Sequence, residues 1–279
     1  MSLKTYIKRG LKYVLHGVDN KIVKADIYVL APNERLAGRK ILITGGGRGL
    51  GYAFAKKCVD EGAFVVITSR NEKNLKEACE KLGKNCGYIV CDVCDFDSYK
   101  PLIEKAEKLA GDRIDSVVLN AGISLHEGNF RNVSQEQFDI QMNTNLKANY
   151  FLAKEFISYL EENKIKGSLL FVSSERGMYK DTIPYGLTKA AVNSLTQGLA
   201  SDVISSGIRV NAIAPGVTVS DMTGYSREDN LYASYQAAER IYLPEEVAEV
   251  ACFLLSDASK CISGEIIVCD NGRYINRAY

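Results

Sequence analysis

From Lys40 onward the apolar positions follow two alternating rhythms. Short continuous runs lie at Lys40–Thr44 (KILIT), Ala63–Thr68 (AFVVIT), Gly87–Cys91 (GYIVC) and Ile114–Leu119 (IDSVVL). Three more lie at Ser168–Val172 (SLLFV), Ile208–Ile213 (IRVNAI) and Glu265–Cys269 (EIIVC). Their lack of polar alternation predicts strands buried on both faces. Between them, Tyr52–Glu61, Glu72–Leu82, Phe96–Ala110, Gln135–Glu162, Tyr185–Ser205 and Pro244–Leu255 have helical length and apolar spacing. Strand and helix in strict succession predict parallel pairing through right-handed crossovers, with helices on both faces of one sheet.

Composition narrows this picture without redirecting it. The chain has 279 residues, and a wound α/β sheet often runs to about 250 residues as one unit. No internal repeat or low-complexity linker divides it, so one domain is expected. Lys and Arg number 35 against 34 Asp and Glu, a net charge of +1, which argues against nucleic acid as the main partner. No window approaches the ~18 apolar residues of a membrane helix. Eight cysteines are too dilute for a disulfide scaffold and read as small buried hydrophobes in a reducing cell. The first residues lack the apolar core and cleavage site of a secretory signal, so the cytoplasm is the expected compartment.

The first strand runs into Thr44-Gly45-Gly46-Gly47-Arg48-Gly49-Leu50-Gly51 and then a helix. Glycines there permit positive φ and close approach of a ligand, while the helix start offers free N–H groups to a pyrophosphate. A structural turn is the plain alternative; the setting between buried strand and helix favours a dinucleotide. The second strand ends in Ser69-Arg70-Asn71, where a fold that prefers NAD usually places an acid for the ribose 2′-hydroxyl. Arg70 and Arg48 can instead flank a 2′-phosphate, which favours NADP(H), with NAD(H) second.

Tyr185 and Lys189 stand four apart at the start of a helix, on one face of it. A neighbouring ammonium lowers the pKa of a phenol from about 10 and lets it shuttle a proton to or from an alcohol or carbonyl oxygen. The fifth strand ends in Ser173-Ser174, at the edge of the sheet where ligands bind in open α/β folds.

Taken together, Thr44–Gly51, Asp92-Val93, Asn120-Ala121-Gly122, Asn145, Ser174, Tyr185-x-x-x-Lys189 and Pro215-Gly216 resemble the short-chain dehydrogenase/reductase superfamily. The branch it resembles is the single-domain one that includes the 3-oxoacyl-acyl-carrier-protein reductases. The resemblance spans about residues 39–272 and implies a Rossmann-type doubly wound α/β fold, a single domain with a parallel seven-stranded sheet. It implies Tyr185 as general acid/base, Lys189 on the nicotinamide ribose and lowering the Tyr185 pKa, Ser174 on the reacting oxygen, and Asn145 holding a water that links Lys189 to solvent. Thr44, Gly45, Gly47, Arg48, Gly49, Leu50 and Gly51 would meet the pyrophosphate side, Ser69 and Arg70 the adenosine ribose, and Asp92 and Val93 the adenine. Asn120, Ala121 and Gly122 would line the cleft, with Pro215, Gly216, Thr218 and Ser220 at the nicotinamide end. No metal is implied. The substrate would be a small alcohol or carbonyl compound, and the long helices Gln135–Glu162 and Tyr185–Ser205 would pair subunits into a homodimer or homotetramer.

Departures from the family pattern are informative. Ten residues separate Ser174 from Tyr185, short of the usual spacing, which keeps Ser173 open as the reacting hydroxyl. Leu119 replaces the Asn often found before Asn-Ala-Gly, and Asp270-Asn-Gly272 stands where Asp-Gly-Gly is common. A substrate lid is expected at Thr218–Leu243; its Met222, Tyr225, Tyr232 and Tyr235 either meet substrate or pack the lid down. Asp221, Glu228, Asp229, Arg227 and Arg240 supply its charge, and His126, Glu127 and Glu175 lie in loops that either face the cleft or solvent. Cys91 and Cys94 have a C-x-x-C spacing but no second pair or His to complete a zinc site. Residues 1–38 read as an extension: Leu3, Ile7, Leu11 and Val14, with Lys4, Lys8, Arg9 and Lys12, form a basic amphipathic helix pattern, and Ile22–Leu30 a strand or arm. Packing on its own domain or a sister subunit is the expected role, with contact to an acidic membrane surface second. A nucleotide sensor without turnover is the competing function, but it has no use for Ser174, Tyr185 and Lys189 together.

Overall fold

The structure is a computed structural model that describes residues 34–275. Seven strands, β1 (Lys40–Thr44), β2 (Phe64–Ser69), β3 (Cys86–Val90), β4 (Ser116–Leu119), β5 (Ser168–Val172), β6 (Arg209–Pro215) and β7 (Ile266–Cys269), form one sheet in the order β3-β2-β1-β4-β5-β6-β7. Every pairing is parallel. The helices are α1 (Gly49–Asp60), α2 (Glu72–Leu82), α3 (Tyr99–Ala110), α4 (Gln135–Gln141), α5 (Ala148–Glu162), α6 (Pro184–Val203) and α7 (Pro244–Leu255).

The pleat sorts neighbouring residues to opposite cores. Ile41, Ile43, Val65 and Ile67 face α1, α2 and α7 through Phe54, Leu75 and Val247. Leu42, Val66, Val117 and Leu119 face α3, α5 and α6 through Leu102, Phe156 and Val192. Continuous apolar runs in the sequence are thus the mark of a sheet covered on both sides. The edge strands β3 and β7 are only half-buried. Order reverses between β1 and β4, and the crevice beyond their carboxyl ends is the site such a sheet offers to ligands.

Local chemistry sets the element ends. Asn71 caps α2 by accepting from Asn74 N at 3.0 Å, and Gly111 closes α3 at φ 67°. Ser134 and Gln137 form a reciprocal capping box at α4, and Glu246 accepts from Leu243 N at 2.8 Å as α7 begins at Pro244. The expected strand at Ile114 starts later, at Ser116, because the Asp115 carboxylate turns back to accept from Lys40 N at 2.9 Å. The expected single helix Gln135–Glu162 is interrupted by a π-helical turn over Met142–Lys147, a type of bulge common at functional sites.

Two other expectations change. Leu36 falls in the segment read as an extension, yet it is fully buried and its N–H donates to Glu61 O at 2.9 Å, so the folded unit already includes it. Arg35 beside it reaches Glu61 at 2.6 Å and Glu249 at 3.1 Å, holding the Glu61 carboxyl down at about 2. The amphipathic helix and arm read from residues 1–33 lie outside the described residues. Of the eight cysteines only Cys58 and Cys252 are buried; Cys261 is exposed and the other five, Cys269 included, are part-exposed.

Candidate functional site

The glycine turn between β1 and α1 is built by close backbone approach. A Cβ on Gly51 would stand 2.2 Å from Gly45 O, and Gly45 and Gly49 adopt φ of 67° and 55°. The first turn of α1 carries no acid and Arg48 makes no side-chain cap, so its N–H groups face the crevice. Thr44, expected among the ligand-binding residues, is turned inward instead. Its hydroxyl accepts from Asn120 N and Ala121 N at 3.0 Å each and donates to Val118 O, which ties β1 to the end of β4. Asn120 completes the suture by donating to Thr44 O at 2.8 Å and Gly45 O at 3.2 Å.

Above this seam opens a cleft of about 920 Å³. It is lined by Gly45, Gly47, Arg48, Gly49, Leu50 and Gly51 of the turn, by Ser69 and Arg70 after β2, and by Asp92 and Val93 after β3. Asn120, Ala121 and Gly122 form its floor, with Ser174, Tyr185, Lys189, Pro215, Gly216, Thr218 and Ser220 at the other end. The sequence reading missed Asn71, Glu72 and Asn74 of the α2 start, Ile123, Ile140 and Thr144, and the lid residue Thr223. Their signal was position alone, directly after a strand end or on the lid. Glu72 is an acid near the place where NAD-preferring folds carry one, but Lys76 Nζ lies 3.0 Å from it and the Tyr88 hydroxyl donates to it.

The reactive groups converge from β5 and α6. Tyr185 lies in the first turn of α6 and Lys189 one turn on. Ser174 begins the short turn after β5, where its hydroxyl accepts from Arg176 N at 3.2 Å and lines the cleft with Tyr185, while Ser173 donates to Lys189 O at 3.2 Å; both serines are buried. Ser173 borders the cleft with its hydrogen already committed; Ser174 is the one presented beside the phenol. Tyr185 is half-buried, and burial pushes its hydroxyl above the ordinary phenol range, against the opposing effects of the neighbouring Ser174 hydroxyl and the Arg176 charge. Lys189 Nζ is buried, donates to Val172 O at 2.7 Å, and is pushed down to about 8 by burial. The Lys189 ammonium is turned to Val172 O and stands 5.6 Å from the centroid of the Tyr185 ring.

Asn145 does not line the cleft. It lies buried in the π-helical turn, where Oδ1 accepts from Ile123 N at 2.8 Å and Nδ2 donates to Ile123 O at 2.8 Å. Nδ2 also reaches Thr188 Oγ1 at 3.3 Å, so the carboxamide clamps the loop after β4 against α6. Its carbonyl accepts from Asn149 Nδ2 at 2.7 Å.

The lid is irregular and has its own small core of Leu231, Ala233, Ile241 and Leu243. Tyr225 packs on that core and its hydroxyl meets that of Tyr235 at 3.1 Å, while the backbone of Tyr232 bridges to Arg240, contacts that lie within the lid. Of the lid's Met, Tyr and charged side chains singled out from sequence, Met222 and Asp221 reach the cleft, beside Thr218 and Ser220. Asp221 pairs with Arg48 at 2.6 Å across its mouth, and His126 Nε2 meets Met222 O at 2.9 Å. Glu127 is buried against Gln141, and Glu175 is buried against Arg273, whose guanidinium lies 5.5 Å from the Tyr235 ring. Cys91 and Cys94 diverge, toward Ser98 and Thr144. Among the described residues no group of three or more His, Cys, Asp or Glu is placed to hold a metal ion, and no helix is long and apolar enough to cross a membrane.

Known proteins share this arrangement. A family model described as enoyl-(acyl carrier protein) reductase matches residues 45–273. A 3-oxoacyl-acyl-carrier-protein reductase of Thermotoga maritima is 35% identical over 252 residues, covering 86% of this chain and all of that protein. Versicolorin reductase of Emericella nidulans is 34% identical, over 87% of this chain and 98% of that one. The crystal structure of a 3-ketoacyl-acyl-carrier-protein reductase from Brucella melitensis, complexed with NADH, superposes with a TM-score of 0.79 at 28% identity, over 86% of this chain and 99% of that chain. With its sheet order, glycine turn and Tyr-x-x-x-Lys helix matched over most of its length, the chain belongs to the short-chain dehydrogenase/reductase superfamily of oxidoreductases.

Proposed function

We propose that this oxidoreductase is an NADP(H)-dependent reductase or dehydrogenase of an alcohol/carbonyl pair, with Tyr185 as general acid/base. The observation that carries the reading is the convergence of Ser174, Tyr185 and Lys189 on one end of the cleft, opposite Pro215 and Gly216. The cleft fits a dinucleotide: the acid-free start of α1 and the tight Gly45–Gly51 approach suit a pyrophosphate. A bound nicotinamide coenzyme would supply the hydride. Ser174 holds the substrate oxygen, and Tyr185 gives it a proton as the carbonyl becomes an alcohol. Tyr185 remains protonated through neutral pH because burial raises its pKa, which suits a proton donor in the reductive direction. Lys189, fixed by Val172 O, places its charge beside the Tyr185 ring, 5.6 Å from the centroid, where it binds the coenzyme ribose.

Preference for the 2′-phosphate rests on Arg48 and Arg70 at the cleft wall and on Glu72 being occupied by Lys76. Assembly of two or four copies is supported by exposed Phe138, Ile140, Tyr150, Phe151 and Leu187 on α4, α5 and α6. A cytoplasmic setting fits the part-exposed free thiols. The test is a panel containing a 3-oxoacyl thioester, a sugar carbonyl and a polycyclic ketone, read by NADPH absorbance and repeated with NADH. Turnover of one class with NADPH supports the proposal; no turnover with tight coenzyme binding favours the sensor.

A further inference from the structure

We propose that Cys79 and Cys86 form a peroxide-sensitive dithiol switch that closes a reversible disulfide between the end of α2 and the start of β3. The two sulfurs lie 2.9 Å apart, within about 1 Å of a covalent S–S bond. Among the described residues it is the one pair of thiols joined by a hydrogen bond. Cys91 and Cys94 point to Ser98 and Thr144, and Cys58 and Cys252 are buried. Both members of the pair are part-exposed at the margin of the core under α2, within reach of a small oxidant.

Either thiol can donate to the other sulfur, and the S–H···S contact favours the thiolate of the accepting one. With Cys79 as the acceptor, Cys79 is the attacking sulfur. Its thiolate attacks one oxygen of hydrogen peroxide, the O–O bond breaks, and the departing hydroxide takes up a proton as water, leaving a sulfenic acid on Cys79. Cys86 then attacks that sulfur, its thiol proton leaving with the displaced hydroxide as a second water. Two thiols lose two electrons and peroxide gains them.

The bridge belongs to the edge of the sheet rather than to the reaction. β3 is the terminal strand, and Cys86 is its first residue, opposite Val65, whereas the cleft lies beyond its last residue, Val90. Four residues of strand, about 13 Å, separate the bridge from that end. Closing the short loop through Gly83–Asn85 therefore staples a half-buried edge strand to its covering helix and leaves the cleft untouched.

The test treats the full-length protein with a small excess of hydrogen peroxide and measures intact mass, then digests it with trypsin after blocking free thiols. The expected result is a loss of about 2 Da, reversed by dithiothreitol. The expected cross-link joins residues 77–81 to 85–105, because the Lys100–Pro101 bond resists trypsin, with fragmentation assigning it to Cys86 and not to Cys91 or Cys94. The oxidised protein should melt about 5 °C higher than the reduced one, a gain absent in Cys79→Ser. Failure to cross-link while either thiol proceeds to sulfinic acid, no reaction at either thiol, or a bond formed at another pair would overturn the proposal. Because mass is the readout, none of these outcomes depends on the assigned reaction.

Discussion

The carboxylate of Asp181 occupies the space in which a side chain on Gly186 would begin: a Cβ there would stand 1.9 Å from Asp181 Oδ2. The same carboxylate accepts from Thr182 N and Ile183 N at 2.8 and 3.2 Å and from Arg176 Nε at 2.6 Å. It thus pins the chain leading into α6 and ties it to Arg176 of the turn after Ser174, in the short connection that leads to Tyr185. Gly186→Ala forces this clamp apart. The expected outcome is at least a tenfold loss of kcat and about 1–3 kcal/mol of stability, read by turnover and by denaturant melts; an unchanged kcat would show that the clamp does not set the Tyr185 position.

The two serines separate by function. Ser174→Ala removes the hydroxyl beside Tyr185 and should lower kcat by about 100-fold with little change in melting. Ser173→Ala removes a bond to Lys189 O and should cost about 1 kcal/mol of stability while retaining most activity. The reverse pattern would move the reacting hydroxyl to Ser173.

Coenzyme preference should follow charge at the cleft mouth. Arg48 is held by Asp221 at 2.6 Å, with both side chains well exposed, so a 2′-phosphate competes for a pair that is itself weak. Asp221→Asn should tighten NADPH binding a few-fold and leave NADH nearly unchanged. Arg48→Ala with Arg70→Ala should weaken NADPH by about 10- to 100-fold and NADH little. Equal losses for both coenzymes would show that the arginines do not read the phosphate.

Burial of Lys189 has a signature in stability. Its pKa falls from the ordinary lysine range to about 8 in the fold, so between pH 8 and 10 the unfolded chain binds more protons and stability rises with pH. The gain from this group is about 3 kcal/mol at most over that window. Tyr99 and Tyr159 are shifted upward and oppose it above pH 10, so the quantity to measure is the difference between wild type and Lys189→Met in denaturant melts. A constant difference from pH 7 to 10 would contradict the buried, shifted ammonium.

How much of this was legible in the sequence depended on whether a residue's partner was near in the chain. The seven strands showed as apolar runs because both faces of the sheet are covered, and α2 and α7 matched their expected bounds because Asn71 and Pro244 mark their starts locally. The π-helical turn at Met142–Lys147 escaped because it arises from Asn145 bonding the backbone of Ile123, 22 residues away. The Thr44 and Asn145 side chains bond the loop after β4, at Ala121 and Ile123, a matter of side-chain direction that spacing does not encode. The contact between Cys79 and Cys86 was hidden by the more familiar spacing of Cys91 and Cys94.

In the proposed function, Tyr185 moves the proton in a hydride-transfer reaction supported by NADPH. The most direct measurement compares wild type and Tyr185→Phe for turnover of a reducible carbonyl substrate, with NADPH binding measured on the same preparations. Turnover should fall by about 1,000-fold or more while NADPH affinity stays within a few-fold. Retained turnover in Tyr185→Phe would contradict it.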